Sequence, residues 1–232
     1  MATTVLKKHA RGVKSRVLLV EDHALVRQGL TQLLNQQSDL AVCGESDRGE
    51  GVLKLIESLK PDAVVVDLTL GDISGVDLIK EISAKHAGLP ILVLSMHQDA
   101  LYAERALRAG ARGYVMKEEA SETVVSALRK ILSGEIHLGE RAKARLLHKL
   151  VKSPLGQVDR TSMLERLSDR ELEVFRLLGQ GFSTRRIAER FNRSIKTVEI
   201  YRANIKHKLD LKDAAELIHF AVQYSQDPKP RA

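Results

Sequence analysis

The 232-residue chain has a single cysteine, five prolines, no internal repeat, no low-complexity segment and no long apolar run. A lone thiol, Cys43 in LAVCGE, excludes any intrachain disulfide. It is expected as a small buried strand residue in a reducing compartment. No stretch approaches the roughly 18 apolar residues that a membrane-spanning helix needs. The N-terminal MATTVLKKHARGVKSR is basic but has no apolar h-region, so no secretory signal is expected there. These absences point to a cytoplasmic protein with no membrane partner. A hydrophobic content of 44% and a charged content of 29% are ordinary for globular domains.

Charge is present but unevenly spread. The net charge is +7, yet residues 17–133 hold twelve basic against seventeen acidic side chains, and residues 161–232 hold fourteen against ten. An acidic front and a basic back suggest two domains with different partners, the basic one suited to a polyanion such as nucleic acid. A solvated charged face is the plainer reading of the same numbers.

The patterning divides the chain in the same way. Arg16–Val20, Leu40–Glu45, Ala63–Val66, Leu89–Leu94 and Gly113–Met116 are short apolar runs without polar alternation. Helical spacing separates them, as in Val52, Leu53, Ile56 and Leu59, and a fifth helix after the last run has Gly134 as its stop. Five strands alternating with five helices predict an α/β domain, an open doubly wound parallel sheet. Leu138–Val151 reads as a basic amphipathic helical stretch and KSPLGQVDR as the linker. Beyond it everything is helical. Ser168-x-x-Glu171 is a capping box, Ser183 and Ser194 are further caps, and Asp213-x-x-Glu216 opens the last helix. The expected divisions are a 1–15 basic extension, a 16–133 α/β domain, a 134–160 helical linker, a 161–226 all-α domain and a 227–232 tail.

Ligands of an open α/β sheet bind beyond the carboxyl ends of its strands. The first run ends in Glu21 and Asp22, the third in Asp67, the fourth in Ser95 and the fifth in Lys117. Each alone is as compatible with a turn, a cap or a surface charge. Together they form an oxygen-rich, thiol-free donor set suited to Mg²⁺, which takes one or two carboxylates, waters and a phosphate oxygen. A cation that neutralises phosphate, beside an exposed carboxylate, is the apparatus for forming an aspartyl-phosphate.

VEDHALVRQGL, VVVDLTLGDISGVDLI, LSMH and RGYVMK make residues 16–133 resemble the receiver domain of bacterial two-component response regulators. The resemblance implies a flavodoxin-like five-stranded sheet of order 2-1-3-4-5. It implies that Glu21, Asp22, Asp67 and the Thr69 carbonyl hold Mg²⁺, and that Asp67 accepts a phosphoryl group from a sensor histidine kinase. Ser95 bonds a phosphoryl oxygen, Lys117 pairs with it, and Tyr114 is the aromatic that swings inward with Ser95. The chain departs from the usual pattern at Ala24, at Leu70-Gly71 and at Glu118, where the family often has proline or Met-Pro. A cis bond at Lys117–Glu118 carries a non-proline penalty of roughly 2.5–4 kcal/mol, which leaves that loop's geometry open. His23 and His97 flank the pocket as secondary or surface groups.

LSDRELEVFRLLGQGFSTRRIAERFNRSIKTVEIYRANIKHKL, within residues 164–226, resembles the LuxR-type helix-turn-helix of NarL/FixJ-class regulators. A recognition helix presents its N-terminal half to the major groove. By family position, Glu199, Ile200 and Ala203 face bases, while Lys196, Thr197, Arg202, Lys206 and Lys208 mostly meet phosphate. Glu199 accepts from a cytosine amino group, and Ile200 and Ala203 offer apolar contact to a thymine methyl. Base readout is therefore sparse, and strong salt dependence is expected.

The expected protein is a response regulator whose phosphorylation on Asp67 controls dimerisation and sequence-specific DNA binding. Its implied partners are a histidine kinase, double-stranded DNA, a second copy on DNA and RNA polymerase. It is expected to be a phosphotransfer acceptor rather than a turnover enzyme. One rival is a haloacid-dehalogenase-like phosphatase, which wants a second Asp where Thr69 stands, and a cap domain. The other is a DNA-binding regulator with a silent receiver, controlled by a ligand or a protein partner.

Overall fold

The computed structural model describes residues 13–96, 100–140, 142–143 and 163–226. Residues 1–12 of the basic extension, His97, most of the linker and the 227–232 tail lie outside them. The first domain has strands β1 (Ser15–Val20), β2 (Leu40–Ser46), β3 (Ala63–Asp67), β4 (Ile91–Ser95), β5 (Gly113–Met116) and β6 (His137–Leu138). Helices α1 (Ala24–Asn35), α2 (Val52–Leu59), α3 (Gly75–Lys85), α4 (Ala100–Ala109) and α5 (Ala120–Leu132) alternate with the first five. The sheet order is β2-β1-β3-β4-β5-β6, parallel throughout.

Central strands explain the unalternating apolar runs. Every residue of β3 and β4 is buried, because helices cover both faces of the sheet. Val17, Leu19, Val65 and Leu94 belong to the core under α1 and α5, whereas Leu18, Val20, Val64, Val66 and Val93 point to the opposite face. Each fully buried Val or Leu contributes about 1.5–3 kcal/mol relative to an exposed one, so these strands anchor the domain.

Two local features differ from expectation. A sixth strand pairs His137 and Leu138 with Gly113 and Tyr114, so Leu138 begins no helix. Gly134, at φ +91°, ends α5 as foreseen and turns the chain back, letting the His137 nitrogen donate to the Arg112 carbonyl at 2.9 Å. After β5 a 3₁₀ turn, Lys117–Glu119, leads into α5, and no described residue has a cis peptide bond.

The second domain comprises α6 (Asp169–Gly179), α7 (Thr184–Arg190), α8 (Ile195–Lys208) and α9 (Ala214–Gln226). The caps read from the sequence are all formed. Ser168 and Glu171 close a reciprocal capping box, Ser183 accepts from the Arg186 nitrogen, and Ser194 accepts from that of Thr197. Asp213 accepts from the Glu216 nitrogen at 2.8 Å. Leu172, Phe175, Ile187, Val198, Ile205, Leu217 and Ala221 close one core among the four helices. At Gly179 a Cβ would collide with the Ala221 carbonyl, so α9 crosses α6 only because that position is glycine.

Candidate functional site

Parallel strands bring the polar strand ends side by side. Asp67, the last residue of β3, is fully buried, and Gly75 at the start of α3 allows the helix to approach it closely. A Cβ there would strike the Asp67 carbonyl. Glu21 follows β1 with 1% exposure and Lys117 follows β5 with a side chain 5% exposed. The Lys117 ammonium donates to Glu21 Oε1 and to Asp67 Oδ2, both at 2.7 Å. The Thr69 nitrogen donates to Asp67 Oδ1 at 3.0 Å, fixing the carboxylate's second oxygen. Ser95 ends β4 in full burial, and the Tyr114 ring on β5 is already turned into the core.

The pocket's charge is uncompensated. Glu21, Asp22 and Asp67 face one ammonium, and ligand atoms from these three carboxylates and His23 lie within 4.8 Å of one another. His23 Nδ1 is 3.1 Å from Glu21 Oε1 and 2.6 Å from Asp22 Oδ1, the latter outside hydrogen-bond geometry. Glu21 Oε2 and Asp22 Oδ1 are buried without a hydrogen-bond partner. Burial pushes the Asp67 carboxyl up to about 7, with Glu21 adding repulsion and Lys117 pulling the other way. Orphaned carboxylate oxygens at the end of β1, beside the Asp67 carboxylate at the end of β3, are what a hard divalent cation replaces with bonds, so the residues fit such an ion.

Asp72 supports the pocket from outside. Its carboxylate accepts from the Gly49 and Glu50 nitrogens at 3.0 and 2.8 Å, tying the loop after β3 to the loop after β2. Burial opposes ionisation there, but these N–H groups hold its carboxyl below the usual range.

On α8, Lys196, Glu199, Ile200 and Ala203 are exposed on one outward face, Ile200 at 52%. Other residues expected at DNA are occupied within the domain. Thr197 lies 2.9 Å from the Ser194 hydroxyl in the cap. Arg202 donates to Thr184 at 2.6 Å and to Glu199 at 2.9 Å. Lys208 donates at 2.6 Å to Glu171, which is buried, and so clamps α8 to the start of α6. Lys206 is half-buried. The sequence reading missed Arg193 and Arg190. Both stand beside the helix-turn-helix turn, where Asn192 at φ +48° makes the bend. Their basic character was visible, but their neighbours were not.

Comparison with known proteins identifies two families along the chain. The response regulator receiver domain family matches residues 17–129, and the luxR family of bacterial regulatory proteins matches residues 165–221. The chain is 34% identical over 212 residues to the oxygen regulatory protein NreC of Staphylococcus haemolyticus (strain JCSC1435), covering 90% of this chain and 97% of that one. Among solved structures, the RcsB response regulator of Salmonella typhimurium aligns with TM-score 0.63 and 27% identity, over 90% of this chain and 98% of that one. RcsB from Salmonella enterica serovar Typhimurium, bound to promoter rprA in the presence of the phosphomimetic BeF3-, aligns with TM-score 0.58 and 27% identity, again over 90% and 98%. The chain belongs to the two-component response regulators with a LuxR-type DNA-binding domain. Among the described residues no helix is long and apolar enough to cross a membrane.

Proposed function

We propose that Asp67 is the phosphoacceptor of this regulator and that Glu21, Asp22, Asp67 and the Thr69 carbonyl hold Mg²⁺ during transfer. The observation that carries the reading is the orphaned, buried Glu21 Oε2 beside an Asp67 whose other contacts already come from Lys117 and Thr69. A bound cation there neutralises incoming phosphoryl charge. Asp67 supplies an oxygen to phosphorus while the donor's bond to phosphorus breaks. Lys117 then shifts its donated hydrogen bonds to the new phosphoryl oxygens, and Ser95 offers a hydroxyl from the next strand end. The chain acts as a phosphotransfer acceptor rather than a turnover enzyme.

In this reading a sensor histidine kinase donates the group, and phosphorylation promotes a two-fold dimer on DNA in the cytoplasm, with RNA polymerase as a further partner. The exposed face of Lys196, Glu199, Ile200 and Ala203 supports the DNA assignment. So does the promoter-bound RcsB structure, obtained with a phosphomimetic. The test is Mg²⁺-dependent labelling by acetyl phosphate. Wild type should label and Asp67→Asn should not; persistent labelling of the variant would sink the assignment.

A further inference from the structure

The turn beside the acid pocket carries a nitrogen donor that the oxygen ligands do not account for. Glu21, Asp22 and His23 run consecutively from the end of β1 to the start of α1. His23 occupies the N-cap position of α1, where Ser, Thr, Asp or Asn ordinarily accepts from the first free N–H groups of a helix. Its side chain makes no such cap. The ring turns to the acids instead, with Nδ1 3.1 Å from Glu21 Oε1 and 2.6 Å from Asp22 Oδ1. The His23 backbone nitrogen donates to Glu21 Oε1 at 3.0 Å and so fixes the turn.

Only the first of the two ring approaches has hydrogen-bond geometry. Asp22 Oδ1 has no hydrogen-bond partner despite the nearby nitrogen, and Glu21 Oε2, on a side chain 2% exposed, has none either. Ligand atoms bonded at about 2.1 Å to one octahedral ion lie roughly 3.0 Å apart along an edge. The distances from Nδ1 to the two carboxylates are therefore those of neighbouring ligands. Atoms of Glu21, Asp22, His23 and Asp67 all fall within 4.8 Å of one another. A cavity of about 180 Å³, lined in part by Asp22, His23 and Thr69, adjoins them. A water takes about 30 Å³ of liquid volume, so an ion with several waters fits.

We propose that His23 Nδ1 is a ligand of the cation pocket and extends it from Mg²⁺ to divalent transition ions that bind imidazole. The inference rests on Glu21, Asp22 and Asp67 holding a cation. Carboxylates, carbonyls and water suit Mg²⁺, whereas imidazole suits Zn²⁺, Fe²⁺ and Ni²⁺. An oxygen-only pocket also differs in its affinity for these ions, so the ring's share is the part that disappears with the ring. A second role for His23, as a countercharge to three carboxylates, predicts the opposite sign. Losing a ligand weakens binding of a transition ion, whereas losing a positive charge strengthens binding of every cation.

Co²⁺ is the probe, added at neutral pH to full-length wild type and His23→Gln. The ring is half exposed and caps nothing, so the substitution leaves the core untouched. Co²⁺ affinity, measured by competition against Mg²⁺, should fall about tenfold in the variant, while calorimetry should give Mg²⁺ affinities within about twofold of each other. In proton NMR, Co²⁺ shifts the exchangeable ring N–H of a coordinated imidazole far outside the diamagnetic range. The chain has eight histidines, so such a resonance belongs to the pocket only where excess Mg²⁺ removes it and the variant lacks it. Equal or tighter Co²⁺ binding in the variant, or no resonance that meets both conditions, overturns ligation by His23 and leaves the Mg²⁺ pocket standing. If Mg²⁺ binds neither protein, the cation pocket itself falls and this inference with it.

Discussion

In the receiver the chemically capable groups are inside: Asp67, Glu21 and Lys117 are almost wholly buried, and Lys117 bonds both carboxylates across strand ends up to 96 residues apart. In the DNA-binding domain the outward residues of α8 come from one short stretch and stand in solvent. The two sites should therefore respond differently to damage. A buried cluster of like charges depends on every member, since each group left without its partner keeps a full desolvation penalty. An exposed face is a sum of small terms screened by salt.

The largest expected effect breaks the buried side of this comparison. Lys117→Met leaves Glu21 and Asp67 facing each other with no ammonium between them. Removing one partner of a buried ion pair costs about 3–5 kcal/mol, so urea unfolding of the receiver should shift accordingly without metal. Mg²⁺ should restore part of the loss, and its stabilising effect should be greater in the variant than in wild type. Equal Mg²⁺ effects in the two proteins would mean that the cation does not sit among these carboxylates.

The next effect concerns pH. Asp67 is raised from its ordinary 3.8 to about 7, first by burial and then by Glu21, against the pull of Lys117. In metal-free protein the folded state keeps a proton that the unfolded state releases above roughly 4, so this group's contribution to stability falls as pH rises toward 7. Mg²⁺ must displace the same proton. Its affinity, measured by calorimetry, should therefore strengthen with pH, by up to about tenfold per unit, and level off above 7. An exposed carboxylate with an ordinary value would give a flat profile from pH 5.5 upward.

How much of each site could be read from the residues follows from the same contrast. The buried strands announced themselves through VVV and ILVL, and the acids stand at the ends of those runs, so parallel pairing alone gathers them. The helix caps were equally legible because capping acts over three residues. The Arg105–Asp169 ion pair was not, since 64 residues separate its partners. Leu138 misled because a two-residue edge strand has too few positions to display a period. Arg202 and Lys208 carry the right charge at the right spacing for phosphate, but only packing reveals that Thr184, Glu199 and Glu171 hold them.

That last point yields the smallest and sharpest prediction, a comparison between two lysines of one helix. Lys196 is exposed at the start of α8, whereas Lys208 at its end is bonded at 2.6 Å to the buried Glu171. Binding to a duplex of random sequence should weaken linearly with log salt for wild type. Lys196→Ala should reduce that slope by about one, as the loss of a phosphate contact does. Lys208→Ala should leave the slope unchanged and instead destabilise the helical domain by about 1–2 kcal/mol, the cost of leaving a buried carboxylate short of a charged donor. If the two lysines reduce the slope equally, Lys208 exchanges Glu171 for phosphate on binding, and the division between a clamped end and a DNA-facing end of α8 fails.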